Sequence, residues 1–278
     1  MKDENETLSD ATALAALAFF SSRDGKHRDV LRDSRRAFIK VRRGMPADFF
    51  AAEARGLTEL SNAQALRVPR VWAVNAQGIV LEDLGSGASL RSDWELAGRK
   101  LAVLHARSGS RFGFTTNGYC GDSAQDNTQD DDGHSFFAER RLLPQARRAY
   151  GRGLLPARYL ATIEQLCGRL GELLPTNPPV LIHGDLWSGN LHSTASGEVA
   201  LIDGGAVHYG WAVADLAMLI LFGEPPPAFL GAYETASTID PNWRSYAPLL
   251  NLYHLLNHLN LFGGNYADAV QRVLEKYA

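Results

Sequence analysis

Two short apolar strands that each run into a carboxylate constrain this chain more than any other feature. Leu181-Ile-His-Gly-Asp-Leu-Trp-Ser-Gly-Asn-Leu191 passes from an apolar strand into a turn bearing His183 and Asp185, and Asn190 follows five residues after Asp185. Val199-Ala-Leu-Ile-Asp203 is a second apolar strand that ends on an acid. One reading is a plain hairpin in which Asp185 and Asn190 only make turns. The other is a site. Its spacing matches the catalytic-loop Asp, the Asn five residues on, and the later metal-binding Asp of a phosphoryl-transfer centre.

Such a centre needs a carboxylate to orient or deprotonate the attacking hydroxyl, and oxygen ligands that hold Mg2+ against the phosphates of ATP. Asp185 suits the first task; Asn190 and Asp203 suit the second. The upstream chain supplies the remaining charge. Lys40 lies inside the strand Arg36-Ala-Phe-Ile-Lys-Val41, flanked by apolar residues. On the helix that follows, Phe49, Glu53, Leu57 and Leu60 share one face. A carboxylate in an apolar stripe is costly unless paired, and Lys40 is its natural partner. A Gly-rich turn over the phosphates is missing. That region reads Phe20-Ser-Ser-Arg-Asp-Gly-Lys-His-Arg-Asp-Val30, which offers Ser21, Ser22, Gly25 and nearby backbone amides instead.

The rest of the chain reads as an α+β, bilobal fold. A small β-rich nucleotide-binding lobe spans 1–84, and a larger helical catalytic and substrate-binding lobe spans 85–278. In the first lobe a short helix over Ala11–Phe20 precedes the Lys40 strand. A helix follows from Pro46 to Leu60, then strands over Val68–Val74 and Gly78–Leu84 around the turn Asn75-Ala-Gln-Gly78. In the second, helical patterns cover Trp94–His105, Ser135–Tyr150 and Pro156–Leu174, with strands in Val180–Asp203 and mainly helix beyond. The polar stretch Ser108–Gly133 is too long for an idle connection.

Composition closes off other classes. Of 278 residues, 45% are hydrophobic and 21% charged, enough to bury a core. A net charge of −3 argues against a general nucleic-acid binder. Cys120 and Cys167 are too few for a disulfide framework, which points to a reducing cytoplasm. The apolar run Leu216–Phe222 falls short of the roughly 20 residues a membrane helix needs. Asp3, Glu4, Glu6 and Asp10 give the N-terminus the wrong charge for a secretory leader.

With these residues in place, the chain resembles the fructosamine (ketosamine) kinase family, relatives of aminoglycoside and choline kinases. The resemblance runs from about Ala37 to Tyr266 and rests on Phe38-Ile-Lys-Val41, Phe50-Ala-Ala-Glu-Ala-Arg-Gly-Leu57 and Val80-Leu-Glu-Asp-Leu84. Narrower still are Arg111-Phe-Gly-Phe114 with Gly121, Gln125 and Asn127, the segment Phe136–Leu142, the loop His183–Asn190, and Leu252–Gly264. It departs from the family at the Gly-rich loop, which also lacks a cysteine, and after Asp203, where Gly-Gly-Ala replaces the usual Pro-Ala-Ser.

The resemblance implies a protein-kinase-like fold with ATP between the lobes, and Glu82, Asp83 and Leu84 as the hinge whose backbone meets adenine. It implies transfer of the γ-phosphate to a sugar hydroxyl of a ketosamine, free or on a glycated protein, as a step in deglycation. Asp185 is then the base, Asn190 and Asp203 the Mg2+ ligands, and Lys40 the phosphate contact held by Glu53. Trp187, beside the base, is expected against the apolar faces of the sugar, or in the core; His208 and Tyr209 are expected to face the acceptor, or to be a loop packing pair.

Other features read more plainly. Asp215 starts an apolar helix and is taken as its cap. His254 and His258 lack a third ligand and read as core or substrate-wall residues. Asp130-Asp-Asp132 reads as solvated, and Cys120 as no nucleophile. Two alternatives stand beside the leading reading: a kinase for an aminoglycoside or other small hydroxylated amine, and a pseudokinase that binds nucleotide without turnover.

Overall fold

The structure, a computed structural model, describes residues 10–277. Asp3, Glu4 and Glu6 lie outside the described residues. Helix α1 (Ala11–Phe20) begins at Asp10, whose carboxylate accepts from the backbone N–H groups of Thr12 and Ala13. Ala13 and Leu17 of α1 rest on a four-stranded antiparallel sheet with strand order β1-β2-β4-β3. The strands are β1 (Gly25–Val30), β2 (Arg36–Val41), β3 (Val71–Asn75) and β4 (Gly78–Glu82).

Period-two alternation decides which way each side chain points. Ala37, Ile39 and Val41 of β2, with Val80 of β4, pack toward α1. Phe38 and Lys40 therefore face the other side, where Ile79 and Leu81 join the main core with α2 (Phe49–Asn62).

Several boundaries differ from the sequence expectation for local reasons. The segment proposed as a degenerate glycine loop is a turn followed by β1, an edge strand with five of six residues exposed. Its Lys, His, Arg and Asp side chains hide the strand pattern while protecting the edge. Helix α2 begins at Phe49 rather than Pro46; Asp48 makes no cap bond and instead accepts from the Tyr119 hydroxyl at 2.6 Å. Strand β3 starts after Pro69, which has no N–H to give a ladder.

In the helical lobe, α3 (Trp94–His105) has the expected bounds. The polar stretch holds a hairpin, β5 (Gly118–Cys120) and β6 (Ser123–Gln125). Asp132 caps α4 (Gly133–Phe137), Asp131 pairs with Arg111, and Asp130 accepts from the Ser135 hydroxyl, so the acidic run has local structural partners. A π-helical turn over Ala138–Leu142 joins α4 to α5 (Leu143–Gly151). Pro144 has no N–H to continue an α-helical ladder there. The next expected helix breaks at Gly168 into α6 (Ala157–Cys167) and α7 (Leu170–Leu173).

The two diagnostic strands do not pair with each other. β7 (Val180–Ile182) pairs with β10 (His208–Gly210), a strand the sequence reading left out, and β8 (Leu191–Ser193) pairs with β9 (Val199–Leu201). Helices α8 (Ala212–Leu221), α9 (Pro227–Ala236), α10 (Trp243–Phe262) and α11 (Tyr266–Leu274) complete the lobe. Among the described residues no helix is long and apolar enough to cross a membrane.

Candidate active site

Strand β2 and helix α2 bring the first charged pair together. Lys40 Nζ lies 2.5 Å from Glu53 Oε1 and 3.6 Å from Asp203 Oδ2. Burial works against the Lys40 ammonium, but the two carboxylates outweigh it and hold its pKa above the ordinary value. The Lys40 charge in turn holds the Asp203 carboxyl below the usual range. Asp203 has φ 68° and ψ 67°, a left-handed residue at the end of β9, and its carboxylate is half exposed.

Strand β7 delivers the second group. Gly184 has φ 79°, and a Cβ there would lie 2.2 Å from the Ala206 carbonyl oxygen, so glycine is what lets the chain turn between His183 and Asp185. The His183 and Gly184 N–H groups donate to the Asp215 carboxylate at 2.7 and 2.8 Å. His105 Nε2 lies 3.3 Å from the same carboxylate, and His105 Nδ1 lies 2.8 Å from the Tyr233 hydroxyl. Asp215 is thus a buried anchor for the His183–Asp185 turn, and the reading of it as a cap for α8 is corrected.

The loop is also tied to the second strand. His183 Nε2 lies 2.9 Å from the Ile202 carbonyl oxygen, next to Asp203. Asn190 Nδ2 donates to the Asp185 carbonyl at 2.8 Å, which commits the amide nitrogen and leaves the amide oxygen for a cation. Burial pushes the Asp185 carboxyl up to about 6; His183 opposes the rise, and the charges of Asp203 and Asp215 add to it.

Two cavities meet at these groups. One of about 380 Å³ is lined by Phe38, Leu81, Glu82, Asp83, Leu84, Asn190 and Trp187. The other, of about 520 Å³, is lined by Phe49, Glu53, Tyr119 and Asp122, with Asp24 and Gly25 at the turn. Lys26, Lys40, Asp185 and Asp203 line both.

The Glu82 and Asp83 side chains are engaged in ion pairs. Glu82 pairs with Arg67 at 2.5 Å, while Asp83 lies 3.4 Å from both Arg28 and Arg36. The Leu84 carbonyl accepts from Ala195 N–H at 3.1 Å, joining the lobes.

The three expected substrate contacts take different positions. Trp187, 41% exposed, lines the hinge-side cavity, where its ring covers Gly189. His208 is buried by the pairing of β10 with β7, its Nδ1 2.8 Å from the Ala206 carbonyl oxygen. Tyr209 points out of the opposite face of the same strand and donates its hydroxyl to Glu59 at 3.1 Å. Neither His208 nor Tyr209 lines the two cavities.

Lys26 is the residue that sequence reading missed. It stands opposite Lys40 in the β1–β2 register and lines both cavities. The available signal was the alternation Lys26, Arg28, Val30 directly before the Lys40 strand. Ser21 and Ser22 do not line either cavity.

The fructosamine kinase family model matches residues 25–278 of the chain. The chain belongs to the fructosamine kinase family. A Synechocystis protein named as a probable ketoamine kinase is 39% identical over 247 residues, covering 86% of this chain and 82% of that protein. The Arabidopsis thaliana chloroplastic protein-ribulosamine 3-kinase is 31% identical, covering 86% and 75%. The crystal structure of a Thermobifida fusca protein described as a candidate fructosamine-3-kinase superposes with a TM-score of 0.85 at 32% identity, covering 96% and 98%. The architecture is that of the protein-kinase-like phosphotransferases. As a family member the chain is an ATP-dependent phosphotransferase.

Proposed function

We propose that the chain transfers the γ-phosphate of ATP to a sugar hydroxyl of a ketosamine, free or on a glycated protein, and so opens deglycation. The observation that carries this reading is the position of Asp185 at the junction of the two cavities, with Lys26, Lys40 and Asp203. ATP enters the hinge-side cavity, adenine against Leu84 and Phe38, phosphates toward Lys40 and Lys26. The acceptor hydroxyl enters from the larger cavity and meets Asp185. A ketosamine acceptor is favoured over an aminoglycoside by the relatives named as ketoamine and ribulosamine kinases.

The donor set fits Mg2+: a half-exposed carboxylate on Asp203 and an amide oxygen on Asn190 are hard oxygen ligands. Bound there, Mg2+ neutralises phosphate charge. The protein's own work is positioning. Glu53 keeps Lys40 aimed into the cleft, Asp215 fixes the loop backbone, and Asp185 takes the hydroxyl proton as the oxygen attacks. A carboxyl near 6 is ionised at neutral pH yet basic enough to accept that proton. The lobes divide at residue 84, and a reducing cytoplasm fits two unpaired cysteines.

The test is ADP release with Mg2+ and ATP, comparing a fructosamine, a ribulosamine, an aminoglycoside and no acceptor. Ketosamine-dependent release supports the reading. Release only with the aminoglycoside moves the acceptor class, and nucleotide binding without release to any acceptor makes the chain a pseudokinase.

A further inference from the structure

Behind the catalytic turn, three side chains of different chemistry converge. Cys120 ends strand β5, His254 lies in the middle of α10, and Asp185 projects from the turn after β7. His254 Nδ1 is 4.0 Å from Cys120 Sγ and 4.0 Å from Asp185 Oδ1, and the three ligand atoms all lie within 4.8 Å of one another. Cys120 and His254 are buried, while Asp185 opens onto the larger cavity.

We propose that Cys120, His254 and Asp185 form an inhibitory site for a thiophilic divalent cation, Zn2+ or its analogue Cd2+. The inhibitory consequence rests on the reading of Asp185 as the base; the binding does not. A tetrahedral zinc with one sulfur and two N/O ligands sets donor separations of about 3.4–3.6 Å. The two pairs that involve His254 therefore close by about half an ångström, and the Cys120–Asp185 pair by up to about 1.2 Å, through side-chain adjustment. Two of the ligands sit on a strand and a long helix, so the site is largely pre-formed. A fourth position faces the larger cavity through Asp185.

The protonation chemistry favours one buried ligand and opposes the other. Burial keeps the His254 imidazole neutral, so a ring nitrogen lone pair is available to a metal. Burial also raises the Cys120 thiol well above its ordinary value, so the thiol is inert without a metal and formation of the metal–sulfur bond must drive the loss of its proton. Metal binding breaks the S–H bond, forms a metal–sulfur bond and releases the proton to solvent through the cavity. No electron is transferred. Thiolate and imidazole select Zn2+ or Cd2+ over Mg2+, which stays with the all-oxygen pair Asn190 and Asp203. The metal then occupies the carboxylate that takes the acceptor proton.

The test reads binding and inhibition separately. Cd2+ titration of the whole protein, with Mg2+ in excess, should produce a sulfur-to-cadmium charge-transfer band at one equivalent. Cys120→Ala should abolish that band, and His254→Gln should weaken binding at least tenfold. In parallel, buffered Zn2+ should inhibit turnover at saturating MgATP, and Cys120→Ala should raise the half-inhibitory concentration at least tenfold while keeping basal turnover. No thiolate band in the folded wild-type protein overturns the site. A band without inhibition keeps the site and overturns its regulatory role. Equal Zn2+ inhibition of wild type and Cys120→Ala shows displacement of Mg2+ instead, and also overturns it.

Discussion

A Cβ on Gly56 would lie 1.9 Å from the carbonyl oxygen of Gly204, so helix α2 and the turn after Asp203 meet backbone to backbone. Glu53, which holds Lys40, is one helical turn before Gly56, and Asp203 directly precedes Gly204. This contact sets the distance between the two carboxylates that share Lys40. Gly204 itself would place a Cβ 2.6 Å from the Leu57 nitrogen, so both sides of this contact are glycine.

Gly56→Ala is therefore expected to push α2 off the turn. Overpacking of this kind costs about 1–3 kcal/mol. Urea unfolding should show that loss, and turnover should fall in the protein that remains folded. Unchanged stability and turnover would mean that the contact does not position the site.

The positions of Asp185, Asn190, Asp203, Lys40 and Glu53 were legible because each depends on local pattern: an apolar strand ending in an acid, or a carboxylate in an apolar helix face. The fold class followed from the same elements. What could not be read were long-range pairings. β10 pairs with β7 across an intervening hairpin, which buries His208 and turns Tyr209 toward Glu59. Trp187 was assigned by its nearness in sequence to Asp185; its ring covers Gly189 and lines the cavity that Phe38, Leu81 and Asp185 also line. Asp215 looked like a cap because its partners, His183 and Gly184, lie about thirty residues away.

Lys26 and Trp187 give a paired prediction. Lys26→Ala removes a cation that lines both cavities, and on the proposed ATP pose its charge-assisted hydrogen bond to phosphate is worth about 1.5–3 kcal/mol. ATP affinity should fall by roughly tenfold or more on that scale. Trp187→Ala should also weaken ATP binding while the acceptor KM changes little, because the ring lines the hinge-side cavity. Isothermal titration with a non-hydrolysable ATP analogue and acceptor kinetics distinguish this from a sugar-stacking role, which would raise the acceptor KM instead.

Stability should decline on the acid side for a specific reason. Burial, with the nearby Arg141 charge, lowers the His208 pKa from 6.5 to about 3; Asp215 and the Ala206 carbonyl oppose the shift, and His254 adds to it. Between about pH 6.5 and pH 3 the unfolded chain binds the proton that the folded His208 refuses. Stability therefore rises with pH across this window and is lost as pH falls through it. His208→Gln should flatten that slope in denaturant titrations at pH 7, 6 and 5. An unchanged slope would show that His208 is protonated in the folded protein.

The central claim is that Asp185 takes the proton from a ketosamine hydroxyl as phosphate leaves ATP. Its most direct test is a single turnover with γ-labelled ATP, Mg2+ and a ribulosamine, comparing the wild type with Asp185→Asn. The account predicts labelled ketosamine phosphate from the wild type. In the variant the rate should drop by about 10²–10⁴, the scale of general-base catalysis, with ATP binding retained. Label transfer by Asp185→Asn within a few fold of the wild-type rate would contradict it.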